Sequence, residues 1–247
     1  MNIVIIGSSS VIGTYLAERL LQVNHRLFLF SRPECDVTKL ETLKKCAQKV
    51  QHQTHVIHAL IVMPATVVPI GRSTGINMDL LSHSIDTNLK GPLYALSAFY
   101  PLLKKSRRPK IIFFSGGGAT KGRPNFLAYA ASKAGLVRSV ETIAAEDPSM
   151  DINAIAPGAI KSPLTDLVLS VGPQVAGPKE YADAEKFTTK GLPEIYNLVD
   201  FLLLPKSDGV SGLLIAAQHD RWHELRATNI GNDEYRLRRT LGQFTKP

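Results

Sequence analysis

The sequence predicts a single doubly wound α/β domain, a parallel sheet covered by helices on both faces in three layers. Three observations carry this expectation. Short apolar runs alternate with stretches of helical period along the chain. The runs are apolar at consecutive positions, as in Ile3-Val4-Ile5-Ile6, which suits strands buried on both faces of a parallel sheet. The 247 residues fit one α/β domain, and no repeat, low-complexity tract or Gly/Ser linker divides them.

The elements follow in order. Ile3–Ile6 is the first strand. Val11–Asn24 has helical spacing, with Ile12, Leu16, Leu20 and Val23 on one face. Arg26–Phe30 is the second strand. Thr38–Val50 reads as a helix with Thr38 as its N-cap and Glu41 three residues on, a capping box. Only Pro33-Glu34-Cys35-Asp36-Val37 separates the two. A parallel crossover needs a dozen or more residues, so this edge of the sheet is expected to lack one strand that longer folds have. Val56–Val62 is the third strand, followed by one long helix from about Asp79 to Lys105. Lys110–Phe114 is a strand, Phe126–Glu146 a helix and Ile152–Ala156 a strand. A loop-rich region extends to about Leu192. Pro193–Leu204 is a helix with proline in its first position, and Leu213–Ala217 is the last strand.

Composition excludes several classes of function. Hydrophobic residues at 44% and charged residues at 20% are too apolar a balance for intrinsic disorder. A bilayer span needs about 20 apolar residues, and runs such as Val56–Met63 are far shorter. Asn2-Ile3-Val4-Ile5-Ile6 reads as a strand and not as a leader peptide. Two cysteines, Cys35 and Cys46, make no disulfide framework, and reduced thiols point to the cytoplasm. His52, His55 and His58 are spaced by three, which puts strand neighbours on opposite faces. His219 and His223 could pair on a helix without a third ligand. No metal site is expected at either place. The net charge of +8 raises the question of a polyanionic partner. Lys104, Lys105, Arg107, Arg108 and Lys110 supply much of it, after a helix C-terminus and at the amino end of the sheet. Cations suit that position, and no aromatics interleave them, so neither nucleic acid nor a membrane is expected as a partner.

The chemistry is expected at the other end. Gly7-Ser8-Ser9-Ser10-Val11-Ile12-Gly13 joins the first strand to a helix whose N-terminal N–H groups suit an anion. Gly7, Ser9, Ser10, Ile12 and Gly13 are its candidate phosphate-binding residues. The second strand ends in Ser31-Arg32 with no acid at that point, and an Arg there accommodates a 2′-phosphate. NADP(H) is therefore expected over NAD(H). Tyr129 and Lys133 form an i, i+4 pair on one helix face, where an ammonium beside a phenol favours the phenolate. Fourteen residues before Tyr129, at a strand's carboxyl end, lies Ser115-Gly116-Gly117-Gly118.

In their order and spacings, Gly7 to Gly13, Asn88, Ser115, Tyr129, Lys133 and Pro157-Gly158 resemble the short-chain dehydrogenase/reductase family, over essentially residues 1–217. The resemblance implies a Rossmann-type fold and an oxidoreductase that interconverts a carbonyl and a secondary alcohol. It implies that Tyr129 exchanges the proton and that Lys133 lowers its pKa and holds the nicotinamide ribose. Ser115 would bond the substrate oxygen, and Asn88 would support a proton relay through water. Pro157, Gly158, Ile160 and Ser162 would border the nicotinamide, and Asp36-Val37 the adenine. Residues 159–192 would be a substrate lid, with Gly116, Leu164, Leu167 and Val168 at the substrate and residues 218–247 as a C-terminal tail. A homodimer or homotetramer packed through the helices near 79–105 and 126–146 is also implied. Val11 stands where the family has a middle glycine, and Val62-Met63-Pro64-Ala65 replaces its Asn-Asn-Ala-Gly. These departures motivate an alternative, an inactive dinucleotide-binding relative acting as a regulator or scaffold.

Overall fold

The computed structural model describes residues 1–231 and 234–238. Six parallel strands form one sheet in the order β2-β1-β3-β4-β5-β6. They are β1 (Asn2–Ile6), β2 (Arg26–Phe30), β3 (Ala59–Val62), β4 (Lys110–Phe114), β5 (Asp151–Ala156) and β6 (Leu214–Ala216). Ile3 pairs with Leu27 on one side and Ala59 on the other, so the winding reverses at β1 and β3. In open sheets that switch point is where ligands bind, at the carboxyl ends. Cys35–Val37 form no strand, as the short connection requires.

Alternation along each strand feeds two cores. Val4 and Ile6 enter one, with Leu43 of α2 (Leu40–Gln51), Phe99 of α4 (Gly91–Leu103) and Val137 of α5 (Leu127–Glu146). Ile3 and Ile5 enter the other, with Leu16 and Leu20 of α1 (Val11–Gln22) and Ile195 and Val199 of α9 (Leu192–Leu203). Each fully buried Ile, Leu or Phe contributes about 1.5–3 kcal/mol of apolar transfer. The two filled faces explain the uninterrupted apolar runs.

Five local expectations are corrected. The capping box at Thr38 does not form. Lys39 is the N-cap of α2 without a side-chain bond. Asp36 Oδ1 instead accepts from both the N–H (3.0 Å) and the hydroxyl (2.7 Å) of Thr38, a local turn that wins over helix entry. The long helix is two, α3 (Met78–Ile85) and α4, joined by a π-helical turn over Asp86–Lys90. It ends at Leu103. The region after β5 contains three short helices, α6 (Pro163–Ser170), α7 (Gly172–Ala176) and α8 (Pro178–Glu185), two of them opened by proline in the first position. In α9 proline is second, after Leu192.

The fifth correction concerns charge. Arg108 and Lys110 do not belong to a free basic patch. Arg108 forks onto Asp151 (2.9 and 2.8 Å), and Lys110 bonds Asp151 and Asp208 at 2.7 Å each. Lys110 and Asp151 are buried, and Gly209 N–H closes the cluster on Asp151. It ties the amino ends of β4 and β5 to the turn before β6.

The outward N–H groups of β6 are covered as well. Leu214 donates to the Tyr235 carbonyl (2.8 Å) and Ala216 to Asp220 Oδ2 (2.6 Å). Leu237 N–H bonds Glu141 Oε1 on α5. The expected tail thus lies along the sheet edge where it is described; residues 232–233 and 239–247 of it lie outside the described residues.

Candidate active site

The strand β1 leads directly into the Gly7–Gly13 turn. Gly7 has φ +91°. A Cβ on Gly13 would lie 2.4 Å from the Gly7 carbonyl oxygen, so only glycine lets the helix start this close to the strand. Ser10 caps α1 by accepting from Gly13 N–H (3.0 Å). The N–H groups of Val11 and Ile12 have no helical carbonyl before them and open toward the sheet's carboxyl end. The Val11 side chain packs against the core beneath α1. Gly7 and Ser8 N–H both bond the Phe30 carbonyl (2.8 and 3.2 Å), which sets the turn beside the end of β2. Ser31 is half-buried and Arg32 exposed there, in a turn closed by Cys35 N–H on the Ser31 carbonyl. Asp36 is held by Thr38, which keeps its carboxyl below the usual range. Val37 is buried against Gly91 of α4.

After β3, Pro64 covers Gly7, 3.1 Å from where its Cβ would be. The next residue but one, Thr66, is clasped by Asn88. The Asn88 carbonyl accepts Thr66 N–H (2.8 Å), and its amide donates to Thr66 O (2.8 Å), Ser84 Oγ (3.1 Å) and Ser132 Oγ (3.0 Å). The π-helical turn aims this fully buried side chain inward. All of its polar capacity goes to structure. Thr66 and Ser132, which make the clasp, carry no sequence signal beyond being small and polar.

After β4, the backbone turns at Ser115. Its N–H bonds Ile155 O, and its Oγ is the buried side-chain polar atom left without a hydrogen-bond partner among the described residues. A Cβ on Gly116 would lie 2.3 Å from the Tyr129 hydroxyl. The phenol therefore rests against the Gly116 backbone, next to Ser115, and a side chain at Gly116 would displace it. Burial raises the Tyr129 pKa, opposed by the nearby Arg123. Lys133, one turn along α5, is buried. Its Nζ donates to Phe114 O (2.7 Å) and lies 5.9 Å from the Tyr129 ring centroid. Burial lowers its pKa to about 7. Arg123, which sequence reasoning missed, stands 5.4 Å from that ring and pairs with Glu180 of α8.

The depressed pKa has a stability consequence. Unfolded, Lys133 titrates near 10.5. Between about pH 7 and pH 10 the unfolded chain binds more protons than the folded one, so this residue makes stability rise with pH. Urea unfolding of the cofactor-free protein across that window should show the rise, and Lys133→Met should flatten it. An unchanged slope in the variant would mean that Lys133 titrates normally.

After β5, Gly158 (φ +83°) and Gly191 flank the side chain of Gln218, whose amide donates to Pro157 O (2.9 Å). Cβ atoms at these glycines would lie 2.6 and 2.1 Å from it. Gln218 is thus a strut, absent from the sequence expectations, between the end of β5 and the start of α9. Ile160 is buried, and Ser162 is the N-cap of α6. Val168 is buried in one apolar cluster with Val67, Phe126, Tyr129, Ala176 and Ala184, and Leu164 packs on it. Leu167 is exposed. His219 lies in a turn and His223 in a single 3₁₀ turn, Trp222–Glu224, so no one helix pairs them; both line an open groove of about 480 Å³ with Trp222 and Glu194. No group of three metal-ligating side chains occurs among the described residues, and no helix there is long and apolar enough to cross a membrane.

Residues 10–218 match the family described as Enoyl-(Acyl carrier protein) reductase. A tropinone reductase homolog of Datura stramonium is 26% identical over 204 residues, 81% of this chain and 76% of that protein. Among solved structures, the KRED1-Pglu enzyme superposes with TM-score 0.79 at 18% identity, covering 86% of this chain and 99% of that one. A short-chain dehydrogenase from Escherichia coli CFT073 complexed with NADPH gives TM-score 0.76 at 21% identity, covering 88% and 96%.

Proposed function

The chain belongs to the short-chain dehydrogenase/reductase family and is an oxidoreductase, and from that premise we propose that it interconverts a carbonyl and a secondary alcohol with NADP(H), Tyr129 serving as the general acid/base. One observation carries the reading. The Tyr129 phenol, the Lys133 ammonium and the unpartnered Ser115 hydroxyl are buried together at the carboxyl end of β4.

The residues fit a dinucleotide. The Gly7–Gly13 turn presents the first N–H groups of α1 to a pyrophosphate, and the Phe30 carbonyl holds that turn beside Ser31 and Arg32. Arg32, exposed at the end of β2, would take the 2′-phosphate. Asp36 and Val37 would flank the adenine from the same edge. Pro157, Gly158, Ile160 and Ser162, braced by Gln218, would border the nicotinamide. When bound, the cofactor supplies the hydride.

The chain supplies position and the proton. In reduction the Tyr129 phenol donates to the carbonyl oxygen, and in oxidation the phenolate accepts the alcohol proton. Lys133, held on Phe114 O, favours the phenolate. Ser115 Oγ has its hydrogen-bonding capacity free for the substrate oxygen. Asn88, fixed by Thr66 and Ser132, would support a proton relay through water to Lys133. Residues 159–192 form a lid, supported by the cluster that joins Val168, Ala176 and Ala184 to Tyr129. That contact excludes water from the phenol and favours an apolar substrate carbonyl. Of the two departures behind the inactive-scaffold alternative, Val11 and Val62-Met63-Pro64-Ala65, the first has its side chain packed on the core. Free, buried Cys35 and Cys46 support action in the cytoplasm.

Titration with NADPH and NADH tests the cofactor. NADPH is expected to bind more tightly, and Arg32→Ala is expected to weaken NADPH by about tenfold, a single charge-assisted contact, while leaving NADH unchanged. Equal loss for both would remove Arg32 from the 2′-phosphate.

A further inference from the structure

We propose that Arg123 is a positioning residue for this reaction: clamped between Glu180 of the lid and the rings of Phe126 and Tyr129, its guanidinium holds the phenol in place and keeps a permanent positive charge beside it. The proposal rests on Tyr129 being the acid/base.

The clamp is built from both sides. Nε and Nη2 of Arg123 both reach Glu180 Oε2, at 3.1 and 2.8 Å, so the planar fork is oriented and not merely near. Its other side faces the two rings, with Cζ 4.0 Å from the Phe126 centroid and 5.4 Å from that of Tyr129. The backbone around it is pinned. Asn125 takes φ +68°, and its carbonyl accepts Gly71 N–H at 2.8 Å. The clamp thus joins three separate pieces, the turn after β4, the segment after β3 and helix α8.

Charge explains why an arginine matters here. Two cations face the phenol, Lys133 from α5 and Arg123 from the turn. Glu180 on α8 is the acid opposite, already bonded to Arg123. The other side chains in the cluster, among them Val67, Val168 and Ala176, are apolar. Lys133 loses its charge as pH rises through about 7. A guanidinium keeps its charge at any working pH. Above neutrality Arg123 is the cation that still favours the phenolate, and Glu180 of α8 and the Phe126 ring hold it in that place.

The test compares Arg123→Gln and Arg123→Lys with the parent protein. In alcohol oxidation, kcat/KM rises with pH as Tyr129 ionises. Arg123→Gln is expected to move that rise upward by about one pH unit, the lower end of the effect of a charge within about 6 Å. The same shift is expected in a tyrosinate absorbance titration without turnover, taking the difference between each protein and its Tyr129→Phe counterpart. Arg123→Lys keeps the charge but loses the fork. It should hold the pH profile near the parent's while lowering kcat severalfold, and it decides the matter should Arg123→Gln fail to fold. Superimposable profiles and titrations for Arg123→Gln, or parental kcat in Arg123→Lys, overturn the proposal. If Tyr129→Phe itself turns over normally, the assignment of Tyr129 fails first. If Tyr129→Phe is inactive and the Arg123 variants change nothing, only the role of Arg123 fails.

Discussion

Tyr129→Phe is expected to lower turnover by about 10²–10⁴-fold, the usual contribution of a positioned general acid or base. Its stability and NADPH affinity should stay close to the parent's. The substitution removes only the hydroxyl. The ring keeps its place in the cluster with Phe126 and Val168, and the oxygen lies against the Gly116 backbone, where its removal leaves no strained contact. A loss of activity with an unchanged melting temperature therefore isolates chemistry from folding. Single-turnover rates with saturating NADPH, beside a thermal melt, make the measurement. Full turnover in the variant would sink the acid/base assignment. Ser115→Ala makes the contrast: its orphaned oxygen has no structural partner to lose, so that variant too should fold normally and be slower.

The largest effect on stability is expected at the opposite end of the sheet. Asp151→Ala leaves the buried Lys110 ammonium with the Ser207 hydroxyl and Asp208, the one acid left to it and itself partly exposed, and frees Arg108 and Gly209 N–H. Removing one partner of a buried pair costs about 3–5 kcal/mol, because the remaining charge stays desolvated. In a chain of this size that is a fall in melting temperature on the order of 10 °C. NADPH affinity should not change, since the cluster lies at the amino ends of β4 and β5. Restoring much of the loss with Lys110→Met in the Asp151→Ala background would identify the buried charge as the cause. A double variant no more stable than Asp151→Ala would instead assign the cost to the loose Gly209 turn.

The two predictions also show what a sequence can and cannot carry. Strands were legible because Ile3–Ile6 and Ile111–Phe114 feed a core on each face, which forces apolar residues at every position. The Tyr129–Lys133 pair was legible because helical spacing alone puts both on one face. The charge cluster was not. Arg108 meets Asp151 across 43 residues and Lys110 meets Asp208 across 98, so the five basic residues looked like an unopposed patch. Helices α6, α7 and α8 span eight, five and eight residues, too few to develop a period, and they are held by packing on the Tyr129 side. At Thr38 a capping pattern was present, but the Asp36 carboxylate captured it first. Arg123, Glu180 and Gln218 act only through contacts made in the folded chain, and their neighbours in sequence give no hint of them.

The covering of β6 by Tyr235 and Asp220 has a consequence for how the molecule meets its own kind. A parallel sheet that stops at an open strand offers its outward amides as a template for any passing chain. Here both outward amides are already engaged by the protein's own later residues, as a hem closes the raw edge of cloth. On this side a strand from another copy finds neither outward amide of β6 free to pair with. The residues after β6 thus close an edge that would otherwise be a template, while Gln218 among them braces the end of β5.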